Sequence, residues 1–259
     1  MPPTKYKYVQ VDRDGPVTVV TIDRPEALNA LHLPAHLELE AVFDDFGQDP
    51  EQLVAILTGR GGRSFCAGND LKQADKDELK SVRSGFAGLT SRFDLNKPII
   101  AAVNGIAFGG GFETALCCDI VVAEENAVFA LPEPRVGLVA LAGGLHRLPR
   151  AIGPQKALEI ILTSRRVTAA EGKDLGFVNR VETAEQLMNT AREIANEICI
   201  SSPLAVRASK EAVMRGLQSD LKSAIAEQFE YPGVKALLAS SDITEGTRAF
   251  IEKRTPIWS

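Results

Sequence analysis

Short apolar runs, small-residue turns and helix-spaced stretches alternate through the first half of the chain. Val17 to Ile22 is dominated by β-branched residues and predicts a strand. From about His36 to Phe46 the apolar residues Leu37, Leu39, Val42, Phe43 and Phe46 follow helical spacing. Leu53 to Thr58 predicts the next strand. Glu78 to Phe93 predicts a helix led by the charged run Asp75-Lys76-Asp77-Glu78. Ile99 to Val103 reads as a buried strand, Phe112 to Cys118 as a helix, and Asp119 to Ala123 and Ala127 to Ala130 as short strands. This alternation predicts an α/β fold with parallel strand pairing.

Beyond about residue 150 the texture becomes helical. Pro154 to Ser164, Thr168 to Leu175, Ala184 to Ile200 and Pro203 to Arg215 predict helices. Ser219 to Leu238 carries Leu221, Ile225, Phe229 and Tyr231 on a mixed face. No linker composition separates this region. The expected division is a core over residues 1–195 and a helical region over residues 196–259.

Composition narrows the function classes. The chain has 259 residues, 45% of them hydrophobic, enough for a substantial core and incompatible with disorder. A net charge of −5 with interspersed signs argues against a nucleic-acid surface. No run approaches the ~20 apolar residues of a membrane helix, and the polar start Met1-Pro2-Pro3-Thr4-Lys5-Tyr6-Lys7 lacks a signal-peptide apolar region. Cys66, Cys117, Cys118 and Cys199 show no metal-ligand spacing, so reduced thiols in a cytoplasm are the simplest expectation. His32 and His36 are four apart, but Pro34 lies between them and no HExxH motif occurs, so no metal site is expected.

Candidate chemistry centres on Phe108-Gly109-Gly110-Gly111-Phe112-Glu113. Three glycines let backbone approach a ligand without Cβ atoms in the way. A helix starting there presents free N–H groups and its positive dipole end, which an oxyanion needs. A tight turn followed by an N-terminal helix Glu is the plain alternative. A second small-residue turn, Phe65-Cys66-Ala67-Gly68-Asn69-Asp70, follows the strand at Leu53 to Thr58 and offers the Asn69 N–H as a second donor. In Leu131-Pro132-Glu133-Pro134 the two prolines deny Glu133 a regular helix or a central strand. By itself Glu133 also fits a solvated loop carboxylate.

Taken in order, these segments resemble the crotonase, or enoyl-CoA hydratase/isomerase, superfamily. The resemblance starts at Ile22-Asp23-Arg24-Pro25-Glu26-Ala27-Leu28-Asn29-Ala30-Leu31. It runs through Ala101-Ala102-Val103-Asn104-Gly105 and Gly143-Gly144-Leu145-His146-Arg147-Leu148, and closes at Glu245-Gly246-Thr247-Arg248-Ala249-Phe250-Ile251-Glu252-Lys253-Arg254. It implies a spiral of ββα turns with a C-terminal helical region that builds a homotrimer or homohexamer and covers the coenzyme A site. It implies an acyl-CoA thioester substrate, the CoA entering as part of the substrate with no separate cofactor. Backbone N–H groups of Asn69 and Gly110 would hold the thioester oxygen. Glu113 matches the water-activating carboxylate and Glu133 the one delivering a proton to C2. Many relatives carry Ala where Asn69 stands.

The same resemblance assigns CoA contacts to Ala27, Leu28, Ala67, Lys72, Phe250 and Lys253. For the two lysines a solvated surface position is the plain alternative. Phe112 and Leu141 are expected at the acyl pocket, Leu141 standing where relatives often have Gly. Retention of both glutamates makes an enoyl-CoA hydratase, or the reverse dehydratase, the natural inference. The alternatives are a carnitinyl-CoA-type dehydratase, an isomerase of the same fold, or an inactive acyl-CoA- or RNA-binding relative. The G-x-S-x-G of a serine hydrolase and the G-x-G-x-x-G of a dinucleotide-binding fold are both absent.

Overall fold

The computed structural model describes residues 6–72 and 82–259. Among these lie ten strands. They are β1 (Val9–Asp14), β2 (Val17–Ile22), β3 (Val54–Gly59), β4 (Ser64–Cys66), β5 (Ile99–Val103), β6 (Ile106–Phe108), β7 (Ile120–Glu124), β8 (Val128–Ala130), β9 (Val167–Thr168) and β10 (Arg180–Glu182). The ten helices among them are α1 (Leu33–Gln48), α2 (Gly110–Cys117), α3 (Gly144–Ile152), α4 (Pro154–Thr163), α5 (Ala169–Leu175), α6 (Leu187–Cys199), α7 (Pro203–Gly216), α8 (Leu221–Glu227), α9 (Pro232–Leu238) and α10 (Asp242–Glu252).

Two sheets organise the strands. The larger runs β1-β2-β3-β5-β7-β10 and the smaller β4-β6-β8-β9. From β2 to β10 the larger sheet is parallel, and β4, β6 and β8 are parallel in the smaller. Chain order therefore alternates: β3 then β4, β5 then β6, β7 then β8, each pair moving one place along both sheets. Helix α2 follows the β5–β6 pair and α3 follows the β7–β8 pair. This is the expected crotonase-type spiral of ββα turns. Strand β5 is buried throughout, as a strand covered on both faces must be, and its sequence IIAAV is uninterrupted apolar.

The chain forms two compact units. One comprises the described residues up to Phe93 together with Ile99–Ala195. The other comprises Asp94–Pro98 and Asn196–Ser259, so the boundary falls inside α6. In the first unit, α1 buries Leu39, Val42, Phe43 and Phe46, while Phe112, Phe129 and Phe177 pack ring against ring at 5.0–5.2 Å. In the second, Asp242 accepts from the Ser259 N–H at 3.0 Å. Glu245 pairs with Arg248 and Arg254 and accepts from the Ile257 N–H, fastening the C-terminal residues to α10. Among the described residues no helix is long and apolar enough to cross a membrane.

One helical expectation needs correction. Residues 78–81 of the predicted helix lie outside the described residues, as does the charged run leading it. Residues 82–93 form turns with a single 3-10 turn at Phe86–Gly88. Gly85 and Gly88 hold positive φ there, and Gly88 lies against the backbone of Leu39 and Glu40, where a Cβ has no room. The stretch from Ser219 to Leu238 folds as two short helices. A 3-10 turn at Gln228–Glu230 ends α8, and Pro232 opens α9, because proline cannot continue the preceding hydrogen-bond ladder.

Candidate active site

Three loops of the first unit converge. The loop after β4 is tied to the early segment by backbone hydrogen bonds. Ala67 N–H donates to Leu28 O (3.1 Å), Leu31 N–H to Gly68 O (2.8 Å) and Asp70 N–H to Leu31 O (2.7 Å). Leu28 and Asn29 both adopt positive φ. Asn29 is fully buried, with Nδ2 donating to Ser64 O (2.7 Å) and Arg60 O (3.1 Å) and Oδ1 accepting from Arg24 N–H (3.0 Å). Arg24, also buried, reaches Asp70 at 3.0 Å and donates to Ala30 O. Ala27, Leu28 and Ala67 are thus brought together, and Lys72 lies exposed just beyond Asp70.

The second loop is the glycine turn. The strand entering it is β6, a short strand of the smaller sheet, rather than β5. Gly109 (φ 52°, ψ −125°) caps α2, a backbone conformation that glycine adopts without a steric penalty. Gly111 lies so close to Cys66 that a Cβ would overlap its carbonyl oxygen. A Cβ on Gly68 would stand 2.8 Å from Phe108 O and 3.5 Å from Gly110 N. The two predicted donor loops are therefore neighbours, and the absence of side chains at Gly68 and Gly111 permits the approach.

Helix α2 places Glu113 in its first turn, 3% exposed. Its Oε1 accepts from the Gly144 N–H at 2.8 Å. Burial pushes its carboxyl up to about 7; the Gly144 hydrogen bond opposes this and the negative charge of Glu133 adds to it. The third loop supplies Glu133, on a 3-10 turn (Glu133–Val136) between Pro132 and Pro134. Its Oε1 is 2.7 Å from where a Gly109 Cβ would lie, and its Oε2 is buried without a hydrogen-bond partner among the described residues. Burial also raises the Glu133 carboxyl above the ordinary carboxylate value. Two electrostatically coupled acids thus stand at the glycine turn, with raised proton affinity. Such a pair can take a proton from one atom and give one to another.

The other expected residues differ widely in exposure. Phe112 is fully buried against Phe129 and Phe177, so its ring belongs to the core and does not line an open acyl pocket. Its position one residue before Glu113 puts it on the inward face of α2. Leu141 is 82% exposed, in the stretch between the Glu133 turn and α3. In the second unit, Phe250 is 85% exposed on α10, and Lys253 ends that helix with φ 53°.

Several site residues were assigned no role from sequence. Gly144 appeared only as part of a matching segment, and Arg24, Asn29 and Asp70 only within motifs. His32 and His36, weighed as metal ligands, engage neighbours instead. The His32 ring meets Tyr8 edge-on at 4.5 Å, and His36 Nδ1 accepts from the Ala87 N–H at 3.0 Å.

The enoyl-CoA hydratase/isomerase family model matches residues 12–259. The carnitinyl-CoA dehydratase of Citrobacter koseri is 45% identical over 255 residues, covering 95% of this chain and 96% of that protein. The carnitinyl-CoA dehydratase of Salmonella enteritidis is 44% identical, covering 96% and 97%. Among solved structures, an enoyl-CoA hydratase from Bacillus anthracis superposes with a TM-score of 0.90 at 36% identity, over 97% of this chain and 99% of that one. A probable enoyl-CoA hydratase/isomerase from Mycobacterium abscessus gives 0.89 at 41% identity, over 97% and 98%. The chain belongs to the enoyl-CoA hydratase/isomerase, or crotonase, family.

Proposed function

We propose that this hydro-lyase adds water reversibly, in syn fashion, to a trans-2-enoyl-CoA to give a 3-hydroxyacyl-CoA. The hydratase/dehydratase class follows from the family and from relatives that carry those names. The observation that carries the mechanism is the coupled pair Glu113 and Glu133 beside the glycine turn, both with raised proton affinity. Glu113 takes a proton from water as its oxygen bonds to C3. The electron pair of the double bond moves onto the thioester oxygen, which the Asn69 and Gly110 N–H groups hold. Glu133 delivers a proton to C2, and the thioester carbonyl re-forms. Each oxyanion donor of this kind contributes roughly 10²–10³ in rate.

The CoA moiety arrives with the substrate, and no separate cofactor takes part. Its nucleotide end lies by Ala27, Leu28, Ala67 and Lys72, while Phe250 and Lys253 reach a CoA in a neighbouring subunit. Exposed Leu221, Ile225 and Phe229 of the helical region favour burial in a homotrimer or a pair of trimers. Four free thiols favour a reducing compartment, the cytoplasm.

A second reading has its own support. The relatives named carnitinyl-CoA dehydratase, at 44–45% identity, favour a crotonobetainyl-CoA/carnitinyl-CoA pair on the same machinery. Loss of conjugated enoyl-thioester absorbance, followed across straight-chain, branched and crotonobetainyl esters, separates the two. Preferred turnover of a straight-chain ester supports the first reading and preferred turnover of crotonobetainyl-CoA the second. No hydration of any ester, with CoA-ester binding intact, overturns both.

A further inference from the structure

One buried imidazole stands at the junction of the two donor loops. His36 is fully buried on α1. Its Nδ1 accepts from the Ala87 N–H at 3.0 Å, so in the neutral ring the proton sits on Nε2. Burial keeps the ring neutral at physiological pH by drawing its pKa down to about 4. Among the described residues its Nε2 is buried with no hydrogen-bond partner. The Asn69 side chain lies beside the ring, and its Oδ1 is likewise buried without a partner among the described residues. A donor lacking an acceptor therefore neighbours an acceptor lacking a donor, and pairing them satisfies both.

The same ring packs edge-on against Phe86 at 4.5 Å and 66°. Phe86 in turn occupies the space where a Cβ on Gly110 would lie. His36 thus stands beside the Asn69 side chain and backs Gly110 through one aromatic ring. Asn69 and Gly110 are the residues whose N–H groups the proposed function assigns to the thioester oxygen.

Resting on that reading, we propose that His36 is a positioning residue for the oxyanion-binding pair. Its Nε2–H, donated to Asn69 Oδ1, fixes the loop that carries the Asn69 N–H, and its ring holds Phe86 behind Gly110. Asn69 is then the acceptor through which α1 sets the loop.

Two substitutions separate the arms of the ring. H36Q retains a donor at the Nε2 position, whereas H36N retains an acceptor at the Nδ1 position. The expected result is a small loss of kcat in H36Q, which gives up only the ring's packing on Phe86, and a loss of about 10–100-fold in H36N with KM little changed, the scale of a small misplacement. In an N69A background, H36N should cost less in kcat than it does in wild type, only the share carried through Phe86 remaining. Equal losses in H36Q and H36N, or an undiminished loss in N69A, would overturn the proposal and leave His36 a packing residue. Nitrogen NMR of the imidazole in wild type and N69A reads the contact without any His36 variant. A slowly exchanging Nε2 proton whose signal moves in N69A is expected; an Nδ1 proton, or no change, contradicts it. Wild type inactive on every ester would sink the hydratase reading, while the NMR result would still report on the His36–Asn69 contact.

Discussion

The Glu113 carboxyl accepts the Gly144 N–H at 2.8 Å, joining the first turn of α2 to the first residue of α3. One oxygen is thereby oriented while the residue stays only 3% exposed. The hydrogen bond favours the ionised form and burial the neutral form; burial is the larger effect.

That balance has a consequence for stability. Glu113 is raised from 4.5 to about 7 in the folded chain, so the folded state binds the proton more tightly than the unfolded one. Its contribution to stability is complete below about 4.5 and is lost as pH rises through about 7. The loss amounts to roughly 3 kcal/mol. Glu113→Gln should therefore unfold at a higher denaturant concentration than wild type at pH 8, with the gap closing toward pH 4. A variant less stable at pH 8, or a gap independent of pH, would count against a buried, high-affinity Glu113.

Gly111→Ala forces a methyl group into the Cys66 carbonyl, and both partners are backbone, so the β4 loop and the glycine turn must separate. Destabilisation of about 1–3 kcal/mol is expected, together with loss of activity. Gly137→Ala is the control. Its φ of 71° disfavours a side chain, but nothing lies within 4 Å, so the cost should stay near ~1 kcal/mol. Thermal melts of the two variants check this ordering.

Asn29→Ala leaves Ser64 O, Arg60 O and the Arg24 N–H without their partner. Each buried orphan costs about 1–3 kcal/mol, so a loss of at least ~3 kcal/mol is expected. The early segment and the β4 loop should then exchange amide protons faster than the larger sheet, which hydrogen exchange measures residue by residue.

Much of this fold was legible as pattern. Val17–Ile22 and Ile99–Val103 are strands with the predicted ends, because β-branched or uninterrupted apolar runs suit strands with covered faces. The glycine turn and the first-turn position of Glu113 were legible too. Strands such as β4, β6 and β9 were not, since two or three residues carry no period and owe their conformation to neighbours. Helix α3 was hidden by its glycines and by Pro149. The Arg24–Asp70 pair spans 46 residues and the His36–Asn69 contact 33, so neither leaves a local trace. Phe112 shows the limit of a motif: its place beside Glu113 suggested a pocket, while helical geometry turned its ring into the core.

The central claim is that Glu113 and Glu133 act together on one water. Rates of enoyl-CoA hydration, with affinity for the CoA ester measured alongside, test it most directly in Glu113→Gln and Glu133→Gln. Each variant should bind the ester about as wild type does and lose roughly 10²–10⁴ in kcat. A variant that binds the ester and turns over at the wild-type rate would contradict the assignment of that glutamate.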